Sequence, residues 1–370
     1  MKIGICAEFI GMKSGGPESY TVNLIKSFME IDSGNEYNLY VIKQDVLNNY
    51  NIPSNFLIRP IRFYNSWIRN LVIMPIELTR SPVDILHVQY AVPLGFCGKL
   101  VATIHDIAFE FFPETFPKTM RYKLYTIVRR TAKKATVILT GSENTKKDLI
   151  NLYGIPPEKI KVIHYAHGQI YKPVEDNDIF EGIKKKYKIP ENFILYVGAI
   201  QPRKNIIGLI KAWEILREKY GLKWKLVIVG KAAWLSSEII RSWESSKYSE
   251  DIIYTGYIME EELPFIFNAA DLFVYPSFYE GFGLTVLEAM ACGIPVITSN
   301  YSSLPEVVGD AGLLIDPYNY EELAYAMYRV LTEPELRIHL SKKGLERSKN
   351  FSWRQTAEMT LNIYNKIFNG

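Results

Sequence analysis

Two carboxylates and two adjacent cations are the residues of this sequence best placed to do chemistry. Glu280 and Glu288 are separated by seven residues in Glu280-Gly-Phe-Gly-Leu-Thr-Val-Leu-Glu288. Carboxylates accept hydrogen bonds in pairs, which suits the vicinal hydroxyls of a sugar or a ribose. The glycines at 281 and 283 open a helix of about two turns, whose first amides and positive dipole end suit an anion or sugar hydroxyls. Arg203-Lys204-Asn205 sets a planar guanidinium fork beside a point charge, a pairing that can clamp a diphosphate. His105-Asp106 couples an imidazole that can hydrogen-bond a sugar to a carboxylate that can orient it. Gly15-Gly16-Pro17 lets a ligand approach the backbone closely at the start of a helix. Taken singly, each also has a plain reading: Glu288 as a solvated helix residue, Arg203-Lys204 as a solvated turn, the paired glycines as an ordinary bend.

Position argues for the chemical reading, because each group lies beyond the end of a short apolar, β-rich run, His105-Asp106 directly and Gly15-Gly16 after a long loop. These runs alternate with helical patterns and are continuous rather than alternating in polarity, as expected of parallel strands covered on both faces. They span 2–7, 38–42, 85–88, 100–104, 137–140 and 161–163, then 193–197, 225–229, 252–254, 272–275, 295–298 and 312–315. Six and six predict two doubly wound α/β domains, 1–172 and 173–352, joined by the polar stretch 171–179. Helical patterns follow at 321–331, 334–349 and 353–368. The last places Ala357, Leu361, Tyr364 and Phe368 on one stripe that can pack back on the first domain. In open parallel sheets ligands bind beyond the carboxyl ends of the strands, where all of these groups fall.

Composition narrows the class. At 370 residues and 42.6 kDa, with 48% hydrophobic and 22% charged residues, the chain has ordinary globular usage and material for two cores. Cys6, Cys97 and Cys292 are too few and scattered for a disulfide framework or zinc cluster, which points to a reducing compartment. The short apolar start at 1–7 and the lack of any span of ~20 apolar residues predict a soluble, cytoplasmic protein. Charge is uneven: 21 basic against 14 acidic residues through position 172, and 22 against 26 beyond it. Much of the basic excess lies in 118–135, where Lys118, Arg121, Lys123, Arg129, Arg130, Lys133 and Lys134 meet no acid. The stretch reads either as a solvated helix face, with Met120, Leu124, Ile127, Val128 and Thr131 inward, or as a surface drawn to anionic membrane. No nucleic-acid-binding motif accompanies it. His87, His164, His167 and His339 lack a comparable placement and read as structural.

The ordered set of motifs resembles the family 4 glycosyltransferases. The carrying residues are 280–288 with the following Ala-Met-Ala-Cys-Gly-Ile-Pro-Val-Ile, Arg203-Lys204-Asn205, the Gly15-Gly16 loop, His105-Asp106, and Ser142-Glu143-Asn144-Thr145-Lys146-Lys147-Asp148. The resemblance implies the GT-B fold, two facing Rossmann-like domains with a cleft between them. It implies retaining transfer of a hexose from a nucleotide-diphosphate sugar to a glycan or lipid-linked acceptor, with no metal or other cofactor. By the same resemblance Glu288 would hold the donor's ribose and Glu280 a hydroxyl of the transferred sugar. Amides of Phe282, Gly283 and Leu284 would hold sugar and diphosphate, and Arg203 and Lys204 would neutralise the leaving diphosphate. His105 and Asp106 would lie against the sugar, Gly16 would reach the phosphates and acceptor, and Tyr257 and Ile258 would seat the base. The stretch 105–117, His-Asp-Ile-Ala-Phe-Glu-Phe-Phe-Pro-Glu-Thr-Phe-Pro, looks most like mannosyltransferases, making GDP-mannose the first expectation and a UDP-hexose the next.

That donor and a surface-polysaccharide or lipopolysaccharide acceptor are the sequence's expectation. A GT-B sugar-nucleotide epimerase and a catalytically idle GT-B binding subunit are the rivals. A nicotinamide dehydrogenase fits poorly, since no Gly-x-Gly-x-x-Gly follows 2–7. The one Asp-x-Asp, Asp176-Asn-Asp178, lies in the linker rather than after a strand, and so offers no metal site.

Overall fold

The computed structural model describes residues 1–43, 51–61, 63 and 65–370, with Asn177 described by its backbone only. The chain forms two compact units. One comprises Met1–Glu110, Thr119–Tyr165 and Ser352–Gly370, the other Phe111–Lys118 and Ala166–Phe351.

The first unit holds β1 (Lys2–Cys6), β2 (Glu36–Val41), β3 (Phe56–Pro60), β4 (Ile85–Gln89), β5 (Lys99–Thr103), β6 (Val137–Thr140) and β7 (Ile160–Val162). All pair in parallel in the order β3-β2-β1-β4-β5-β6-β7. Among the described residues, seven strands stand where six were expected. The additional one, β3, is an edge strand bounded by Pro53 and Pro60, with Leu57 exposed. An edge position tolerates proline and a half-polar pattern, so the sequence signal is weak there.

The second unit holds β8 (Phe193–Val197), β9 (Lys225–Val229), β10 (Ile252–Gly256), β11 (Leu272–Tyr275), β12 (Val296–Ser299) and β13 (Leu313–Ile315). Their order is β10-β9-β8-β11-β12-β13, again parallel. In both sheets the order reverses beside the first strand, so the crevices that bind ligands in such folds open between β1 and β4 and between β8 and β11.

Burial explains the continuous apolar runs. Every residue of β8 and β11 is buried, and Trp213, on the helix Ile206–Tyr220, is wholly enclosed with its indole N–H donated to the Trp224 carbonyl at 2.8 Å. A buried aliphatic side chain in such a core contributes about 1.5–3 kcal/mol. The C-terminal helix Trp353–Asn369 belongs to the first unit, where Tyr364 packs on Phe28 and its hydroxyl lies 2.5 Å from His87 Nδ1. Residues 171–179 are linker only in part. Asp176 accepts from the Ile179 amide at 3.1 Å and caps a helix over Asn177–Tyr187, so the Asp-x-Asp pair marks a helix start.

Candidate active site

In the second unit, the loops after β8 and β11 converge. Pro202–Lys204 forms one 3₁₀ turn and Asn205 follows with φ 55°, a left-handed geometry that asparagine accepts more readily than most residues. Its side-chain amide then donates to the carbonyls of Pro276 (3.1 Å) and Pro317 (2.7 Å), tying the loop after β8 to those after β11 and β13. The turn aims both cations at Glu280. Lys204 Nζ lies 2.6 Å from Glu280 Oε1 and 2.7 Å from the Tyr275 hydroxyl, and Arg203 Nη1 lies 3.3 Å from Glu280 Oε2. Arg203 also donates to the Tyr279 carbonyl. Glu280 is itself pinned through its backbone, its amide donating to Ser302 Oγ and its carbonyl accepting from Ser303 Oγ, each at 2.9 Å.

All three charged side chains are buried. Burial alone would raise the Glu280 carboxyl, but Lys204 and then Arg203 outweigh it and bring it down to about 2. The cluster thus holds two cations and one carboxylate, a net positive charge in a low-dielectric site, where an arriving polyanion is held more strongly than in water.

Gly283 comes next, with φ 116°, and begins the helix Leu284–Ala291. A side chain there would meet Leu304 Cδ2 at 2.8 Å, so only glycine lets the chain turn this tightly into the helix. Phe282, Gly283 and Leu284 therefore lead straight from Glu280 into a helix N-terminus, the geometry expected of an anion-binding backbone.

Glu288, one turn further on, has different company. It is buried, and no described residue hydrogen-bonds its carboxyl. Burial first, then repulsion from Glu260, pushes it up to about 8. Tyr171 and Tyr257 lie in the same electrostatic neighbourhood, so the segment after β10 and the helix share this corner. Ile258 is buried beside the half-exposed Tyr257. The two acids named from the sequence are thus held apart in environment: one fully paired and charged, the other unpaired and mostly protonated at neutral pH.

The first unit presents a neutral counterpart. Gly15, with φ 67°, caps the helix Gly16–Ile31, and both glycines are exposed. Glu18 fixes the preceding loop by accepting from the amides of Gly11 (2.7 Å) and Ser14 (2.8 Å). A hydrogen-bond chain runs inward from there. Thr21 Oγ1 donates to the Pro17 carbonyl at 2.6 Å and so accepts from Gln89 Nε2 at 2.5 Å. Gln89 Oε1 then accepts from His105 Nε2 at 2.7 Å, and His105 Nδ1 accepts from the Tyr165 hydroxyl at 2.8 Å. Because the Pro17 carbonyl can only accept, every donor along the chain is determined, and the imidazole is protonated on Nε2.

Burial, then the nearby His87, lowers His105 to about 3, so it is neutral at physiological pH. Both ring nitrogens are engaged. A ring hydrogen bond to a sugar, expected from the sequence, would require Gln89 or Tyr165 to yield. Asp106 Oδ1 accepts from the Ala108 amide at 3.0 Å, turning the chain into the helix Ala108–Phe111.

Sequence reasoning missed Gln89, although it directly follows the run 85–88 and so satisfies the same strand-end rule as the others. It also missed Tyr275, Ser302 and Ser303, whose types carry no distinguishing signal.

Comparison with known proteins fits this arrangement. Residues 177–347 match the family described as glycosyl transferases group 1, and residues 14–166 match glycosyltransferase family 4. O-antigen chain mannosyltransferase B of Escherichia coli is 35% identical over 266 residues, 72% of this chain and 70% of that protein. Sucrose-phosphate synthase from Thermosynechococcus elongatus has the same fold at 20% identity and TM-score 0.81, covering 100% of this chain and 99% of that one. Anabaena HepE, solved with UDP and glucose, superposes at TM-score 0.77 and 18% identity over 99% of this chain and 100% of its own. Two parallel Rossmann-like sheets with charged and glycine-rich loops at their carboxyl ends are those of a GT-B glycosyltransferase. The chain belongs to glycosyltransferase family 4. The transferase reading stands over the epimerase and the idle subunit, and the donor is a nucleotide sugar.

Proposed function

We propose that the protein transfers mannose from GDP-mannose, with retention, to a glycan or lipid-linked acceptor of a surface polysaccharide. The observation that carries this is the 35% identity, over most of both chains, to an enzyme named as an O-antigen mannosyltransferase. The stretch 105–117 supports the same sugar.

In this reading the second unit binds the donor. Glu288 accepts from the ribose hydroxyls, Tyr257 and Ile258 flank the base, and the amides of Phe282, Gly283 and Leu284 receive the diphosphate. Arg203 and Lys204 stabilise the charge that grows as the bond between C1 and the diphosphate oxygen breaks. The acceptor oxygen attacks C1 from the same face, and its proton passes to the departing diphosphate. Glu280 accepts from a sugar hydroxyl while holding both cations in place. Gly16, His105 and Asp106 serve the sugar and acceptor from the first unit. Two fixed cations supply the neutralisation that some transferases obtain from a metal, so we propose transfer without one. Activity unchanged by a chelator supports that point, and loss restored by added metal refutes it.

Thermal shift with GDP-, UDP- and ADP-sugars tests the donor, because a ligand stabilises by RT ln(1 + [L]/Kd). GDP-mannose should give the largest shift. A larger shift with a UDP-sugar would replace the donor while leaving the site.

A further inference from the structure

The loops beyond β11, β12 and β13 each present an aromatic residue that donor chemistry does not use. Phe278 stands three residues past β11, Tyr301 two past β12 and Tyr318 three past β13. These strands are neighbours in the sheet, and their three rings come together. Phe278 and Tyr318 stack with centroids 4.8 Å apart, and Tyr318 meets Tyr301 edge-on at 6.2 Å. The row continues on the other side of Phe278, in the segment Phe111–Lys118 that belongs to the second unit. Phe112 stacks on Phe278 and is tilted against Tyr279, at 6.1 Å in each case, and Phe111 stacks on Tyr279 at 5.5 Å. Six rings thus follow one another without a break.

Both ends of the row face solvent, Tyr318 being 55% exposed, Tyr301 44% and Phe111 42%. Burying such rings would stabilise the fold, so a contiguous cluster of them left in water marks a binding surface. Its loops are also tied to the cation cluster. Tyr279 accepts from Arg203 through its carbonyl. Ser302, beside Tyr301, accepts from the Glu280 amide at 2.9 Å, and Pro317, beside Tyr318, accepts from Asn205 at 2.7 Å. The row therefore extends outward from the loop on which the transferred sugar is proposed to lie.

We infer that this row binds the glycan acceptor, the sugars behind the accepting one stacking along it. The C–H bonds on one face of a pyranose are weakly positive and the face of an aromatic ring is negative, so the two stack without a formal charge. Glu114 and Asp316 lie within electrostatic reach of Tyr318, where carboxylates accept from sugar hydroxyls. The same acids repel the phosphates of a bilayer or a nucleic acid. A second copy is a poorer occupant, because a two-fold contact through this patch would bring the acids against themselves. The inference depends on the acceptor's being a glycan, as proposed above, but not on which nucleotide carries the donor sugar.

The test is calorimetry of the full chain, without donor, using α-linked mannopentaose, maltopentaose and free mannose. A pentasaccharide should bind at least about tenfold more tightly than the monosaccharide, because several rings engage several sugars. Y301A/Y318A should weaken that binding about tenfold or more, whereas Y301F/Y318F, which keeps both rings, should stay within about threefold. The thermal shift given by nucleotide sugars should be the same in all three proteins, which separates loss of this site from failure of the donor reading. No pentasaccharide binding, equal affinity for mannose, or affinity unaltered in Y301A/Y318A would each overturn the inference. So would self-association that Y301A/Y318A removes, or a loss of donor response in that variant, which would make the row a brace for the donor loop.

Discussion

The strand ends of the two units solve opposite electrostatic problems. In the second, two buried cations and Glu280 carry net positive charge and are braced by Tyr275, Asn205, Ser302 and Ser303. In the first, a histidine of equal enclosure is kept neutral by burial, and a directed chain of hydrogen bonds from Pro17 through Thr21 and Gln89 fixes its tautomer. Charged groups are costly to bury unless paired, whereas a neutral polar chain is stable once every donor finds an acceptor. The difference fits a division of labour in which one end takes up the charge of a leaving diphosphate and the other orients an uncharged sugar.

The largest expected effect breaks the charged end. Arg203→Ala with Lys204→Ala should lower kcat by 10³-fold or more, as the loss of about 3–4 kcal/mol for a single stabilising donor implies. A circular-dichroism melt checks that the fold persists, and turnover of the donor found by thermal shift is the readout. Activity within tenfold of the natural protein would remove the cations from the mechanism.

Next comes the neutral end. Gln89→Ala should leave donor binding unchanged but lower kcat about ten- to a hundredfold, because His105 loses the acceptor that selects its tautomer. Nitrogen NMR of the imidazole should then show both tautomers. A single Nε2–H form in the variant would disconnect Gln89 from the histidine.

A pH experiment sharpens the contrast between the two acids. If Glu288, raised to about 8, takes up the ribose as proposed, it must be ionised to accept fully from the hydroxyls, so donor affinity should rise with pH between 6 and 8 and binding should release protons. Calorimetry in buffers of different ionisation enthalpy measures the release, and Glu288→Gln should abolish it. Stability sets the two acids in opposite directions. The contribution of Glu280, depressed to about 2, is present above its ordinary pKa of 4.5 and is lost as pH falls toward 2. That of Glu288 is present below 4.5 and is lost as pH rises through 8, so Glu288→Gln should raise Tm at pH 9 relative to the natural chain.

The smallest effect expected is that of Tyr364→Phe. It removes the hydroxyl partner of His87 where the C-terminal helix meets the first unit, at a cost of about 1 kcal/mol. A shift of that size in the denaturation midpoint, with kcat unaltered, would confirm a structural role for His87.

Much of this was legible in the residues. Apolar runs gave twelve of the thirteen strands among the described residues because parallel strands buried on both faces leave a continuous signal, and β3 escaped because an edge strand is held to no such pattern. Arg203, Lys204, Glu280 and Gly283 were legible since charge and glycine stand out after a strand. Their mutual pairing was not, since it depends on the left-handed turn at Asn205 and on the loop after β8 meeting the loop after β11. Nor could the sequence tell that Glu280 and Glu288 differ by several pKa units. Burial is common to both, and only the three-dimensional placement of Lys204 and Glu260 separates them.

The most direct measurement compares a nucleoside diphosphate with its parent nucleoside, by calorimetry, on the natural chain and on R203A/K204A. If residues 203, 204 and 283 take up the pyrophosphate, the diphosphate should bind the natural chain at least a hundredfold more tightly than the nucleoside, and most of that advantage should vanish in the variant. An advantage that survives the double substitution intact would place the phosphates elsewhere and contradict the account.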